Sequence, residues 1–239
     1  MTEMSPIPED WVRALAVVAH PDDLEYGAAS AIARWTAQGK EIRYCLVTSG
    51  EAGIDSMAPD ECARVRQEEE RRSAAVVGVD TVEFLAHPDG LVQPDLILRR
   101  DLAVAIRRFR PDAVISINFR ETFGHGGFNH ADHRNTGIAL LDAVRDAGNR
   151  WLWPGAGGEP WGGVRFAAFG NSPKAEHYVD VTATIEKGIA SLAEHHVYLS
   201  ALPEGTRGTD PDSFLRGMAE SFGATVGVTA AVPFEVITL

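Results

Sequence analysis

The sequence predicts an α/β fold: an open, mostly parallel sheet with helices on both faces, forming a single domain over residues 1–239. Two observations predict it. Short apolar runs alternate four times with longer helical patterns before residue 148. Parallel neighbours also need crossover connections of the length that such helices supply.

The first β-run, residues 13–19, is Arg-Ala-Leu-Ala-Val-Val-Ala. A helical pattern over 24–38 follows it and stops at Gly39, since glycine takes the left-handed cap conformation without steric cost. A second run at 42–48 leads into a charged helix over 60–77, with Ala63, Val65, Ala74 and Val77 as its apolar positions and Gly78 as its stop. A short strand at 81–85 and a helix over 95–109 come next. Pro111 blocks continuation, so 113–118 reads as a buried strand, and a helix over 132–147 lies behind it. The loop after Gly148 carries Trp151, Trp153 and Trp161 and is expected to be packed or to lie at an interface. Strands at 165–170 and 177–181 and a helix over 184–201 complete a core of residues 13–200, leaving 201–239 as a C-terminal extension. The run Glu68, Glu69, Glu70, Arg71, Arg72 reads as a solvated helix face, and His195 and His196 as partly exposed near a helix end.

Lys and Arg number 22 against 34 Asp and Glu, a formal charge of -12, which argues against binding a phosphate backbone and hence against a nucleic-acid role. No apolar run approaches the ~20 residues of a membrane span. Acidic residues and prolines stand at the N-terminus where a signal peptide needs basic and then apolar ones, so a cytoplasmic location is expected. Cys45 and Cys62 alone suggest no disulfide framework, and Cys45 reads as core.

Chemistry concentrates in two clusters. His20-Pro21-Asp22-Asp23-Leu24-Glu25 follows the first strand, and Asn129-His130-Ala131-Asp132-His133 follows the fourth. Ligands of open parallel sheets bind beyond the C-terminal strand ends, where both clusters fall. Taken singly, an Asp or Asn there is often only a helix cap, and a lone His a surface or core group. Two clusters on one sheet edge argue for a site. A His-x-x-Asp pair and a distant His make the three-ligand set of an open catalytic metal centre, with Zn2+ the natural ion and Fe2+ an alternative. Spacing does not say which of Asp22 and Asp23 ligates.

His20-Pro21-Asp22-Asp23-x-Glu25 with His130-x-Asp132-His133 resembles the paired signature motifs of the LmbE-like, or PIG-L, zinc-dependent N-deacetylases. These remove acetyl groups from N-acetylglucosamine-type substrates. Thr48-Ser49-Gly50-Glu51-Ala52-Gly53 and Pro88-Asp89-Gly90 resemble accompanying loops, so the similarity runs over roughly residues 13–200; Ala131 departs from the proline common there. The resemblance implies a Rossmann-like fold and a hydrolase of small N-acetylated amino sugars or glycoconjugates. It implies His20, Asp23 and His133 as metal ligands and Asp22 as the general base acting on the attacking water. His130 would stabilise the oxyanion and help protonate the leaving amine, and Asp132 would orient His130 and favour its charged form, though Asp132 could also cap a helix. Asp89 resembles a position that contacts sugar hydroxyls, but Pro-Asp-Gly is also an ordinary turn. Glu25 is either a partner behind the ligands or a helix-dipole residue. His125, before the second motif, is a candidate pocket or lid residue.

Two other readings share the residues. Two histidines and a carboxylate also describe non-haem Fe(II) oxygenases, although those ligands normally sit on a β-helix. A non-catalytic sugar-binding module is the third, and it leaves the second aspartate unexplained. The tryptophan-rich loop makes a homo-oligomer an expectation.

Overall fold

The computed structural model describes residues 4–124 and 126–239; His125 lies outside them. Their eight strands are β1 (Ser5–Pro6), β2 (Arg13–Val18), β3 (Glu41–Leu46), β4 (Val82–Phe84), β5 (Ala113–Ile117), β6 (Phe166–Gly170), β7 (His177–Asp180) and β8 (Ala231–Thr238). They form one sheet in the order β1-β7-β8-β6-β5-β2-β3-β4. All pairings are parallel except those of β8, which runs antiparallel to β6 and β7. The helices are α1 (Asp23–Gly27), α2 (Ala29–Ala37), α3 (Pro59–Val76), α4 (Leu96–Phe109), α5 (Ala131–Gly148), α6 (Ile185–Ala193), α7 (His196–Ala201) and α8 (Pro211–Val226).

Strand β2 explains the layering. Its side chains alternate, and both sets are buried. Ala14, Ala16 and Val18 join Ile32, Trp35 and Phe234 on one face, while Leu15 and Val17 join Leu102, Ile106 and Leu140 on the other. A strand covered on both faces reads as a continuous apolar run, as residues 13–19 do. The chain order reverses between β2 and β5, which pair directly, so the loops leaving them diverge and open a crevice at their C-terminal ends.

Four expectations need correction. The helix expected over 24–38 is two helices broken at Ala28, whose φ is -150°. The break lets the chain close on the ends of β5 and β6: a Cβ on Gly27 would lie 2.4 Å from Ile117 Cγ2, and one on Gly170 would lie 2.6 Å from the Gly27 carbonyl oxygen. The helix expected over 184–201 likewise breaks at Glu194–His195, which turns His195 inward and leaves it fully buried; only His196 is exposed. Glu69 and Glu70, read as solvated, are buried, because α3 turns Cys62, Arg66, Glu69, Glu70 and Ser73 toward the protein. Residues 201–239 are no appendage: α8 packs on the sheet, and β8 is inserted between β6 and β7.

The tryptophan-rich loop is pinned from inside. The buried Arg107 guanidinium donates to the carbonyls of Asp146, Ala147, Asn149, Leu152, Trp153 and Ala156, and Trp161 Nε1 donates to the Pro111 carbonyl at 2.7 Å. Trp151 remains exposed. No helix among the described residues is long and apolar enough to cross a membrane.

A candidate metal centre in a polar pocket

Both motifs reach the crevice because each leaves one of the paired strands β2 and β5. His20, Asp22 and Asp23 follow β2; the second motif follows β5 and opens α5. Asp22 takes a left-handed conformation, φ 90°, that short polar side chains tolerate better than most. That turn sends the two neighbouring carboxylates into different surroundings.

His20, Asp23 and His133 each present a ligand atom within 4.8 Å of the others. His133 Nε2 lies 2.9 Å from Asp23 Oδ1 and 3.2 Å from His20 Nδ1, and His20 Nδ1 lies 3.6 Å from Asp23 Oδ2. Tetrahedral ligands about 2.1 Å from an ion stand roughly 3.4 Å apart, so this spacing suits one divalent cation. The outer nitrogens are committed elsewhere. His133 Nδ1 meets Asn129 Oδ1 at 3.0 Å, while His20 Nε2 meets Asp89 Oδ1 at 3.1 Å and Asp132 Oδ2 at 3.3 Å. An imidazole that gives one N–H to an acceptor directs its other lone pair at a metal, so the donor set fits the ion.

Electrostatics separates the two aspartates. Burial works to raise Asp23, but His133 and His20 overcome it and hold the carboxyl well below the usual range. Burial also raises Asp22; Arg66 opposes it, Asp23 adds to it, and the carboxyl ends at about 6. Arg66, itself buried, sits 3.2 Å from Asp22 Oδ2, donates to the Pro21 and Gly50 carbonyls, and stacks on the Tyr198 ring 4.0 Å away. Gly50 and Gly53 make room for it: a Cβ on either would lie within 2.5 Å of the guanidinium.

Asp132 differs from expectation. Its carboxylate accepts the Gly90 N–H at 2.7 Å and the Val92 N–H at 3.3 Å and faces His20, whereas its nearest approach to His130 is 4.0 Å. His130 is the N-terminal cap of α5, and its Nδ1 accepts the Asp132 backbone N–H at 3.1 Å. The imidazole therefore carries its proton on Nε2. Burial, then the charges of His20 and His133, lower its pKa, so the neutral ring is the favoured form. Asp132 braces His20 and the loop over the pocket instead.

Asp89 reaches the pocket, but its carboxylate bonds His20 and, at 2.9 Å, the Ala52 N–H. Glu25 is fully buried behind the site, accepting the Ser73 hydroxyl at 2.6 Å. The sequence does not single out Arg66, Tyr26 or Tyr198 for the site, and it places Asn129 there without a role. Arg66 left one signal: it stands a turn beyond Cys62, on the side of α3 that also carries Ser73 and Ala74. The residues enclose a cavity of about 370 Å³. A larger cleft of about 1000 Å³ shares Asp23, Tyr26 and His133 with it and continues over Phe214, Met218 and Phe222 of α8.

The profile of the PIG-L family, described as GlcNAc-PI de-N-acetylase, matches residues 15–144. Diacetylchitobiose deacetylase of Thermococcus kodakarensis is 29% identical over 201 residues, covering 82% of this chain and 72% of that one. A 1D-myo-inositol 2-acetamido-2-deoxy-alpha-D-glucopyranoside deacetylase of Rhodococcus erythropolis is 27% identical, over 76% of this chain and 66% of its own. Among solved structures, N,N'-diacetylchitobiose deacetylase from Pyrococcus horikoshii superimposes with a TM-score of 0.85 at 26% identity, over 96% of this chain and 85% of that one.

Proposed function

The chain belongs to the PIG-L family, and from that premise we propose that it is a zinc-dependent hydrolase removing the N-acetyl group of a small amino sugar or its conjugate. Relatives named as deacetylases of acetylated glucosamine compounds support the reaction class. The observation that carries the mechanism is the contrast between Asp23, gripped by two imidazoles, and Asp22, which is beside them and free of them.

His20, Asp23 and His133 would hold the ion. When bound, it supplies Lewis acidity, polarising the amide and acidifying the attacking water. Asp22 takes the proton of that water. A carboxylate near pKa 6 is basic enough to accept it and acidic enough to pass it to the departing amine. His130, exposed at the pocket mouth, directs its Nε2–H at the carbonyl oxygen as negative charge develops there, a contact commonly worth about 3 kcal/mol of barrier. Asp132 and Asp89 keep His20 oriented, and Asn129 does so for His133. The pocket at the metal has room for a sugar ring, and the cleft along α8 for whatever the sugar is joined to.

The direct test is acetate release from N-acetylglucosamine, diacetylchitobiose and N-acetylglucosaminyl-inositol by zinc-loaded protein. Equal amounts of acetate and free amine are expected from at least one of them. Acetate from none, with the metal bound, would overturn the reading in favour of a binding module.

A base must be unprotonated, so kcat/KM should fall as pH drops through the pKa of Asp22. That pKa lies near 6 before a bound cation draws it lower. Arg66 stabilises the ionised form. Arg66→Met, which preserves the buried stem, should therefore move the acidic limb upward by about one pH unit. An unmoved limb would assign it to another group.

A further inference from the structure

Behind the pocket lies a second cluster that the proposed reaction does not use. Glu25 of α1, Glu70 of α3 and His195 at the α6–α7 junction converge with no solvent exposure of their side chains. Each offers a ligand atom within 4.8 Å of the others. His195 Nε2 stands 3.8 Å from Glu25 Oε2 and 3.6 Å from Glu70 Oε2, too far for hydrogen bonds but close to the roughly 3.4 Å between ligands around a shared ion. Similar spacing separates His20 from Asp23 in the first cluster.

Unpartnered buried polar atoms gather at the same place. Among the described residues nine buried side-chain atoms lack a partner, and four of them are Glu25 Oε2, Glu70 Oε1 and both ring nitrogens of His195. Each carboxylate is half satisfied: Glu25 Oε1 accepts the Ser73 hydroxyl, and Glu70 Oε2 accepts the Asp22 N–H at 3.2 Å. The second oxygen of each, Glu25 Oε2 and Glu70 Oε1, has no hydrogen-bond partner. Among the described residues no lysine or arginine pairs with these carboxylates: the terminal nitrogens of Arg66 go to Asp22 and to the Pro21 and Gly50 carbonyls, and its buried Nε is itself unpartnered. The Tyr44 hydroxyl is also buried and unpartnered, and after burial Glu25 and Glu70 are what push its pKa up. Buried polar groups in folded proteins are nearly always paired, so so many orphans together imply an occupant.

We propose that Glu25, Glu70 and His195 form a second, wholly buried site for a divalent transition-metal ion. Two carboxylates balance its charge, and one neutral imidazole completes a nitrogen–oxygen donor set suited to zinc, manganese or iron. Burial holds His195 neutral, with a pKa pushed down to about 3, which keeps a lone pair available. Through the Glu70–Asp22 hydrogen bond the ion would brace the left-handed turn that carries the proposed base. The site is structural and stands whether or not the chain is a deacetylase.

The test counts zinc per chain by mass spectrometry after loading with zinc chloride and desalting. Native protein should hold two ions, His133→Ala one, and the double variant His133→Ala with Glu70→Gln none. Anomalous scattering at the zinc edge, from crystals of the native protein, should add a peak bounded by Glu25, Glu70 and His195. That peak decides the matter even where the double variant does not fold. A metal-free His133→Ala protein, or a single peak at His20 and His133, would overturn the proposal and leave paired protonated acids or water among the three residues.

Discussion

Asp22→Asn is expected to keep its metal and lose turnover by about 10³-fold, within the range that a positioned general base contributes. The substitution isolates one property. Asparagine has the same shape and tolerates the left-handed backbone that residue 22 adopts, and the N–H that Glu70 accepts is unaltered. The ligands His20, Asp23 and His133 are untouched. What goes is the capacity to bind a proton, because an amide is not a base near neutral pH. Arg66 then faces a neutral group, which costs some stability, but its bonds to the Pro21 and Gly50 carbonyls remain. Acetate release measured beside zinc content separates the cases. Near-native turnover in metal-replete protein would dismiss Asp22 as the base. Turnover lost together with zinc would make Asp22 a ligand, and the division of labour between the two aspartates would fail.

That division shows how far the sequence could be read. Both motifs are contiguous and each follows an apolar run readable as a strand, so their meeting at one sheet edge could be foreseen, while spacing left open which of Asp22 and Asp23 would stand between the imidazoles. Asp132 could not. The family resemblance implied a pair with His130, yet a residue opening a helix bonds through its backbone to the cap while its side chain is free to turn elsewhere, here to His20 and Gly90. Glu69 and Glu70 misled for a related reason. A run of charges normally reads as solvated, and the compensation that lets them be buried comes from distant residues: Val197 N–H for Glu69, Asp22 N–H for Glu70. Strand β8 was hidden by Pro233, which lacks a ladder donor and is unusual between two neighbours, and by Glu235, which is buried against Arg120 and Ser172. Helix α8 carried legible signals, Asp210 as cap, Pro211 in the first turn and Gly227 at the stop. They became meaningful only once β8 supplied the surface that α8 covers.

His133→Ala should remove one metal equivalent and, with it, nearly all acetate release. Losing a group that merely orients a ligand typically weakens metal binding 10–100-fold; losing the ligand itself should exceed about 100-fold. The geometry argues for a loss confined to the site. His133 lies on the first turn of α5, its Nδ1 meets Asn129, and Asn129 keeps its own bonds to the carbonyls of Asn118 and Arg120. Alanine also suits a helix, so the fold should survive and a fall in zinc content would report coordination rather than unfolding. Asp23 supplies a further check. Two imidazoles hold its carboxyl ionised against burial, so removing one raises its pKa and adds a proton competitor for whatever ion remains. Residual zinc binding in the variant should therefore weaken more steeply between pH 7 and pH 5 than in the native protein. Unchanged zinc affinity in His133→Ala would mean that β2 and β5 bring their motifs together for some purpose other than holding an ion, and the catalytic scheme would fall with it.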